Sequence, residues 1–151
     1  ASLIASCTEC GAASATQDLE LVEYMRLFGE KIGMAFQIKD DLLDYGTDNI
    51  GKPLGNDIKE KKLTLPLIYT LNNTDAATRR KIIYIVKNNN NDKEKVKWVI
   101  DQVEQAGGIA YAKEKMNVYR DKAIELLNQF PENEIRKGLE DMVRFVTDRK
   151  Y

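Results

Sequence analysis

The stretch from Asp18 to Tyr45, DLELVEYMRLFGEKIGMAFQIKDDLLDY, decides the fold class. Val22, Met25, Phe28, Ile32, Ala35, Phe36, Leu42 and Leu43 recur along it at three- and four-residue spacing. That is the period of one face of a helix, not of a strand. Gly46 follows as a stop signal. On a helical wheel Gln37, Asp40, Asp41 and Asp44 fall on one stripe, in line with Glu23, Arg26 and Glu30 higher up.

Outward from this helix the pattern stays helical. Ala1 to Ala13 reads as a small-residue helix made for close packing. Its start reads as a helix already under way, so the chain is expected to be a fragment lacking an amino-terminal part. Leu65 to Leu71 is a short apolar helix with Pro66 in its first turn. Asp75 to Lys87 and Asp92 to Ala106 follow, separated by the polar turn Asn88–Asn91; Val96, Val99, Ile100 and Val103 share a face. Gly107-Gly108 breaks the pattern. Ile109 to Phe130 carries Met116, Tyr119, Ala123, Leu126 and Leu127. After Pro131, Asn133 to Asp148 carries Ile135, Leu139, Met142, Val143 and Val146. No segment alternates as a strand does, and there is no repeat or linker. The expected architecture is an all-α helical bundle, one domain over residues 1–151. Gly46 to Lys62, rich in Gly and Asn with Pro53, is expected to be an active-site loop.

Composition narrows the chemistry. The 151 residues hold 23 basic and 24 acidic side chains, a net charge of −1. That is no footprint of a general nucleic-acid or membrane-surface binder. There is no histidine, which excludes His-based triads and His–metal sites. Any metal must be held by oxygen, which favours Mg²⁺, Mn²⁺ or Ca²⁺. Cys7 and Cys10 form a lone Cys-x-x-Cys without the βαβ context of a redox motif or the second pair of a zinc site. They read as ordinary thiols. No run reaches the length of a membrane helix.

A stripe of aspartates is ordinarily a solvated face. Two features oppose that reading here. No Lys or Arg lies three or four positions from any of the three aspartates along the helix. The cluster also occupies the last turns, where the macrodipole disfavours anions, and Asp is a poor helix former. A hard cation bridging Asp40 and Asp44, one turn apart, resolves the conflict. The following segment supplies Lys52, Lys59, Lys61 and Lys62 as counter-charge for a phosphate. Two other motif readings fail. Gly46–Lys52 resembles a Walker A loop but has Pro53 where Ser or Thr is needed, and it follows a helix. A calcium loop from Asp44 has Asn49 at its glycine position and Gly55 at its terminal Glu position.

Three blocks carry a family resemblance: Phe36-Gln37-Ile38-Lys39-Asp40-Asp41-Leu42-Leu43-Asp44, Gly51-Lys52-Pro53-Leu54-Gly55-Asn56-Asp57, and Lys62-Leu63-Thr64-Leu65-Pro66-Leu67. In order and spacing they resemble the second aspartate-rich region of the trans-type polyprenyl diphosphate synthases. The last block is closest to the long-chain enzymes that make quinone side chains. The resemblance covers Ala1 to about Leu71. It implies the carboxyl-terminal half of the isoprenoid synthase fold. It implies a Mg²⁺-dependent prenyl transfer, with Mn²⁺ as a substitute metal. An allylic prenyl diphosphate loses pyrophosphate with metal assistance, isopentenyl diphosphate attacks the allylic cation, and a proton leaves.

By the same resemblance Asp40 ligates the metal directly, Asp44 ligates through water or assists, and Asp41 holds the arrangement. Gln37, Lys52 and Lys62 meet the allylic substrate, while Lys59 and Lys61 stay solvated. A homodimer in the cytoplasm is implied. The sequence departs from the family by lacking a first aspartate-rich motif and the Lys-Thr pair expected before Ala1. The chain alone is therefore expected not to turn over. The rival readings are a non-catalytic synthase-like subunit and, further off, a terpene cyclase.

Overall fold

The computed structural model describes residues 1–46 and 54–148. Among them are eight helices and no strand: α1 (Ser2–Ala15), α2 (Leu19–Leu43), α3 (Asn56–Lys59), α4 (Leu65–Asn72), α5 (Ala76–Asn88), α6 (Lys93–Gln105), α7 (Gly108–Leu127) and α8 (Glu134–Asp148). The all-α expectation holds, and most helix limits fall within a few residues of the expected ones. The expected loop Gly46–Lys62 needs correction where it is described, because Asn56–Lys59 within it form α3; its residues 47–53 lie outside the described residues. A single helical turn is too short to show any periodicity, and tertiary bonds hold it in place.

Local chemistry explains the helix ends. The Asp18 carboxylate accepts from the N–H of Glu20 at 2.9 Å and of Leu21 at 3.3 Å, which starts α2. At its far end the N–H groups of Asp44, Tyr45 and Gly46 turn back to carbonyls three residues earlier, and Gly46 takes a φ of 75°. Asp75 caps α5 and Asp92 caps α6, each accepting from two backbone N–H groups.

The described residues form two compact units, one within 1–39 and 115–150 and the other within 40–114. Helices α2 and α7 contribute to both. The core of the first unit is Phe28, Ile32, Ala123, Leu127 and Val143. There α1 lies close on α2: a β-carbon at Gly29 would stand 2.7 Å from the Ile4 carbonyl and 2.8 Å from Ala5 Cα. That explains the small residues of α1. On α8 the packed side is Leu139, Val143, Val146 and Thr147. Ile135 and Met142, which share the helical apolar pattern, are 78% and 44% exposed. The apolar arc of α8 is wider than the face its own unit covers.

The second unit packs Tyr45, Ile58, Leu67, Ile82, Ile85, Val86, Val96, Val99 and Val103 together. Gly108 allows close approach to α4, where a β-carbon would stand 2.5 Å from the Pro66 carbonyl.

The two capping aspartates set a pH dependence. The Thr78 side chain, then the N–H groups of Thr78 and Ala77, hold the Asp75 carboxyl below the usual carboxylate range; Lys95 does most of the same for Asp92. A carboxyl depressed in the folded state adds stability above its unfolded pKa and loses it as pH falls through the folded value. Melting temperature should therefore fall as pH drops below about 4. Asp75→Asn, which cannot ionise, should flatten part of that acid limb and lower the melting temperature at pH 7 by a few degrees at most. An acid limb as steep in the variant as in the parent would count against the assignment.

Candidate functional site

The last two turns of α2 place the aspartates differently from one another. Asp40 is exposed, whereas Asp41 and Asp44 are half-buried. Their neighbour Lys39 is almost fully buried, at 8% exposure. Gln37 is exposed, three residues before Asp40 on the same helix. The helix therefore exposes one of the three aspartates more than the other two.

Asp44 has well-defined partners. Its Oδ1 accepts from the Asn56 N–H at 2.9 Å and its Oδ2 from the Asp57 N–H at 2.8 Å. Its own carbonyl accepts from the Gly55 N–H at 3.0 Å. These donors are the start of α3, so Asp44 completes the first turn of that helix from a distant point in the sequence. Burial, the largest influence, raises the Asp44 carboxyl above its usual value against the lowering by the two backbone N–H groups; the Asp57 charge raises it further and Lys59 pulls it down.

Asp57 leads on to Lys62. The Lys62 N–H donates to the Asp57 carbonyl at 2.8 Å. Its ammonium stands 2.6 Å from Glu60 Oε2 and 3.3 Å from Asp57 Oδ1, and Glu60 first, then Asp57, raise its pKa. Lys62 is nonetheless well exposed, with 59% of its side chain open. Asn90 Nδ2 donates to the Lys59 carbonyl, tying down the far end of α3. Beneath it Tyr45 and Thr64 share a buried hydrogen bond of 2.7 Å, and burial pushes the Tyr45 phenol well up.

The structure thus brings together Asp44, Asp57 and Lys62. Lys52 lies outside the described residues. Lys61 is exposed in a left-handed conformation, φ 59°, and Lys59 is half-buried. Sequence reasoning passed over Asp57, Glu60 and Asn90 as site residues. The Gly55-Asn56-Asp57 turn was a usable signal for a helix start, but nothing local pointed to Asp44 as its cap. Among the described residues no three carboxylates or thiols converge on one point as a metal cage. Cys7 and Cys10 are free and exposed on α1.

An all-α fold with an aspartate cluster closing one helix and a lysine-bearing turn behind it defines a class, and comparison identifies it. The polyprenyl synthetase family model matches residues 1–103, and the chain belongs to this family. The heptaprenyl diphosphate synthase component 2 of Geobacillus stearothermophilus is 33% identical, over 99% of this chain and 46% of that protein. The chloroplastic solanesyl diphosphate synthase 1 of Arabidopsis thaliana is 32% identical, over 99% of this chain and 36% of that protein. Among solved structures, the geranylgeranyl pyrophosphate synthase of Bacteroides thetaiotaomicron superposes with a TM-score of 0.89 at 40% identity, covering 97% of this chain and 49% of that one. The decaprenyl diphosphate synthase of Rhodobacter capsulatus gives 0.90 at 28% identity, covering 99% and 46%. The chain spans a third to a half of the length of these relatives.

Proposed function

We propose that this chain supplies one half of a Mg²⁺-dependent prenyltransferase that condenses isopentenyl diphosphate with an allylic prenyl diphosphate. The observation that carries this reading is the family match over residues 1–103, which contains all three sequence blocks around Asp40, Lys52 and Lys62. On this reading residues 1–151 form part of a single, larger isoprenoid-synthase domain.

When bound, the metal supplies charge neutralisation for the departing diphosphate. Asp40, exposed at the end of α2, would be its direct protein ligand. Asp44 ligates through water or supports the site from behind, and Asp41 holds the arrangement. Lys62 meets the diphosphate with its exposed ammonium. Gln37 and Lys52 are assigned to the same substrate from sequence. Mn²⁺ is an acceptable substitute, since oxygen ligands suit both ions. The relatives named above are all prenyl diphosphate synthases, which favours this reading over a terpene cyclase. No helix among the described residues is long and apolar enough to cross a membrane; the cytoplasmic location is proposed from the family resemblance alone.

The chain carries one Asp-Asp cluster of this kind, so the 151 residues alone are expected to bind Mg²⁺–pyrophosphate weakly and to show no turnover. Lys62→Met is expected to weaken that binding roughly tenfold, read by titration with inorganic pyrophosphate. Because the lysine is exposed and its ion pairs are at the surface, the melting temperature should barely move. Binding unaffected by both Lys62→Met and Asp40→Asn would sink the diphosphate reading. A homodimer is the proposed assembly. The Geobacillus relative's name describes one component of an enzyme, so a second subunit of a different kind is the alternative. Sedimentation of the family-length protein, alone and with candidate subunits, separates the two.

A further inference from the structure

We infer that Asp44 is a positioning residue, whose carboxylate sets the location of Lys62 by way of Asp57. The inference rests on the diphosphate reading above and divides the labour within the aspartate cluster.

The geometry forms a relay. Both oxygens of Asp44 are engaged by consecutive backbone donors, Asn56 at 2.9 Å and Asp57 at 2.8 Å. The backbone of the same aspartate accepts from Gly55 at 3.0 Å. Three bonds from one residue to three successive N–H groups leave the start of α3 little freedom relative to the end of α2. Asp57, fixed in this way, then takes both the N–H and the ammonium of Lys62. Asp44 is half-buried, whereas Asp40 is exposed. The Asp44 carboxylate is turned inward to its backbone donors. Charge-assisted bonds from a carboxylate to backbone N–H groups are about twice as strong as neutral ones, and a carboxylate spent on two of them is a poor candidate for sole metal ligation. Its ligating capacity is not exhausted, since each oxygen has a second lone pair, which is why the distinction needs measurement.

The test uses the 151-residue chain, with amide exchange and titration with Mn²⁺ and with inorganic pyrophosphate plus Mg²⁺. In Asp44→Asn the amides of Asn56 and Asp57 should exchange at least about tenfold faster. Mn²⁺ affinity without pyrophosphate should stay within about twofold of the parent, whereas Asp40→Asn lowers it roughly tenfold. Pyrophosphate affinity should fall several-fold in Asp44→Asn, but by less than about twofold when the same change is made in a Lys62→Met background, because residues acting as one unit are not additive. A merely structural aspartate would not show that coupling. Unchanged exchange, a Mn²⁺ loss equal to that of Asp40→Asn, or an equal pyrophosphate loss with and without Lys62 would each overturn the inference. Should Asp44→Asn fail to fold, Asp44→Glu keeps the charge, displaces the carboxylate by one methylene and is read by the same three measurements. If pyrophosphate affinity ignores Asp40→Asn and Lys62→Met, the diphosphate reading itself has failed. Faster exchange would then leave Asp44 a clasp with no ligand group to present, which overturns the inference by a different and recognisable result.

Discussion

Asp40→Ala, in a family-length protein carrying this chain, is expected to lower isopentenyl incorporation with Mg²⁺ at least about a hundredfold and to leave the melting temperature unchanged or slightly higher. The first half follows from the role proposed for the carboxylate. A cation bound by one or two carboxylates cannot lose one without losing much of its hold, and a hundredfold corresponds to about 2.7 kcal/mol of barrier. The second half follows from position. Asp40 sits in the final turns of the 25-residue helix α2, where the dipole disfavours negative charge, and alanine is a better helix former than aspartate. A residue that is unfavourable for the fold and essential for the reaction is the signature of a functional site. A variant as active as the parent would refute the metal assignment. A variant that is inactive because it is unfolded would refute the structural half.

Gly55→Ala should be the most damaging single-methyl change at the site. Gly55 has a φ of 77°, and a β-carbon there would collide with Val96 Cγ1 and stand 3.4 Å from Ile100 Cδ1. Val96 is 3% exposed and belongs to the core of the second unit, so it cannot swing into solvent. Left-handed strain in a non-glycine residue costs roughly 1–2 kcal/mol, and overpacking adds about 1–3 kcal/mol. For a chain of this size the total corresponds to a fall of roughly 5–15 °C in melting temperature. Gly107 provides the control. Its φ is 79°, and a β-carbon there would meet nothing within 4 Å. Gly107→Ala carries the strain alone and should cost only about 1–2 kcal/mol. Equal losses at the two glycines would mean that Val96 gives way and that the close packing under α3 is softer than the structure shows. Loss of Gly55 should also disturb the bond from its N–H to the Asp44 carbonyl, so pyrophosphate affinity should fall together with stability.

Much of this molecule could be read in advance, and the exceptions share a cause. The limits of α5 and α6 were legible because Asp75 and Asp92 cap their own helices within two or three residues. The core face of α6 was legible because Val96, Val99 and Val103 repeat at the helical period and all are buried. α3 was missed because a four-residue turn has no period, and its cap, Asp44, lies 12 residues upstream of its first donor. The exposure of Ile135 and Met142 was missed because periodicity gives an apolar arc without telling how much of it a neighbour will cover.

For the candidate site the division is similar. Asp40, Asp41, Asp44, Lys62 and Gln37 were picked out by residue type, by their place against the helix dipole and by the family resemblance, none of which needs coordinates. The joining of Asp44 to Asp57 and Lys62 did need them. The sequence by itself determined the helical class, the family and which side chains carry the charge, because these depend on spacing along one element and on short blocks of neighbouring residues. Only the tertiary structure decided that Asp40 is exposed while Asp44 is turned onto the start of α3, because that depends on residues 12 and 13 positions apart in the sequence meeting, with three backbone N–H groups beside one aspartate.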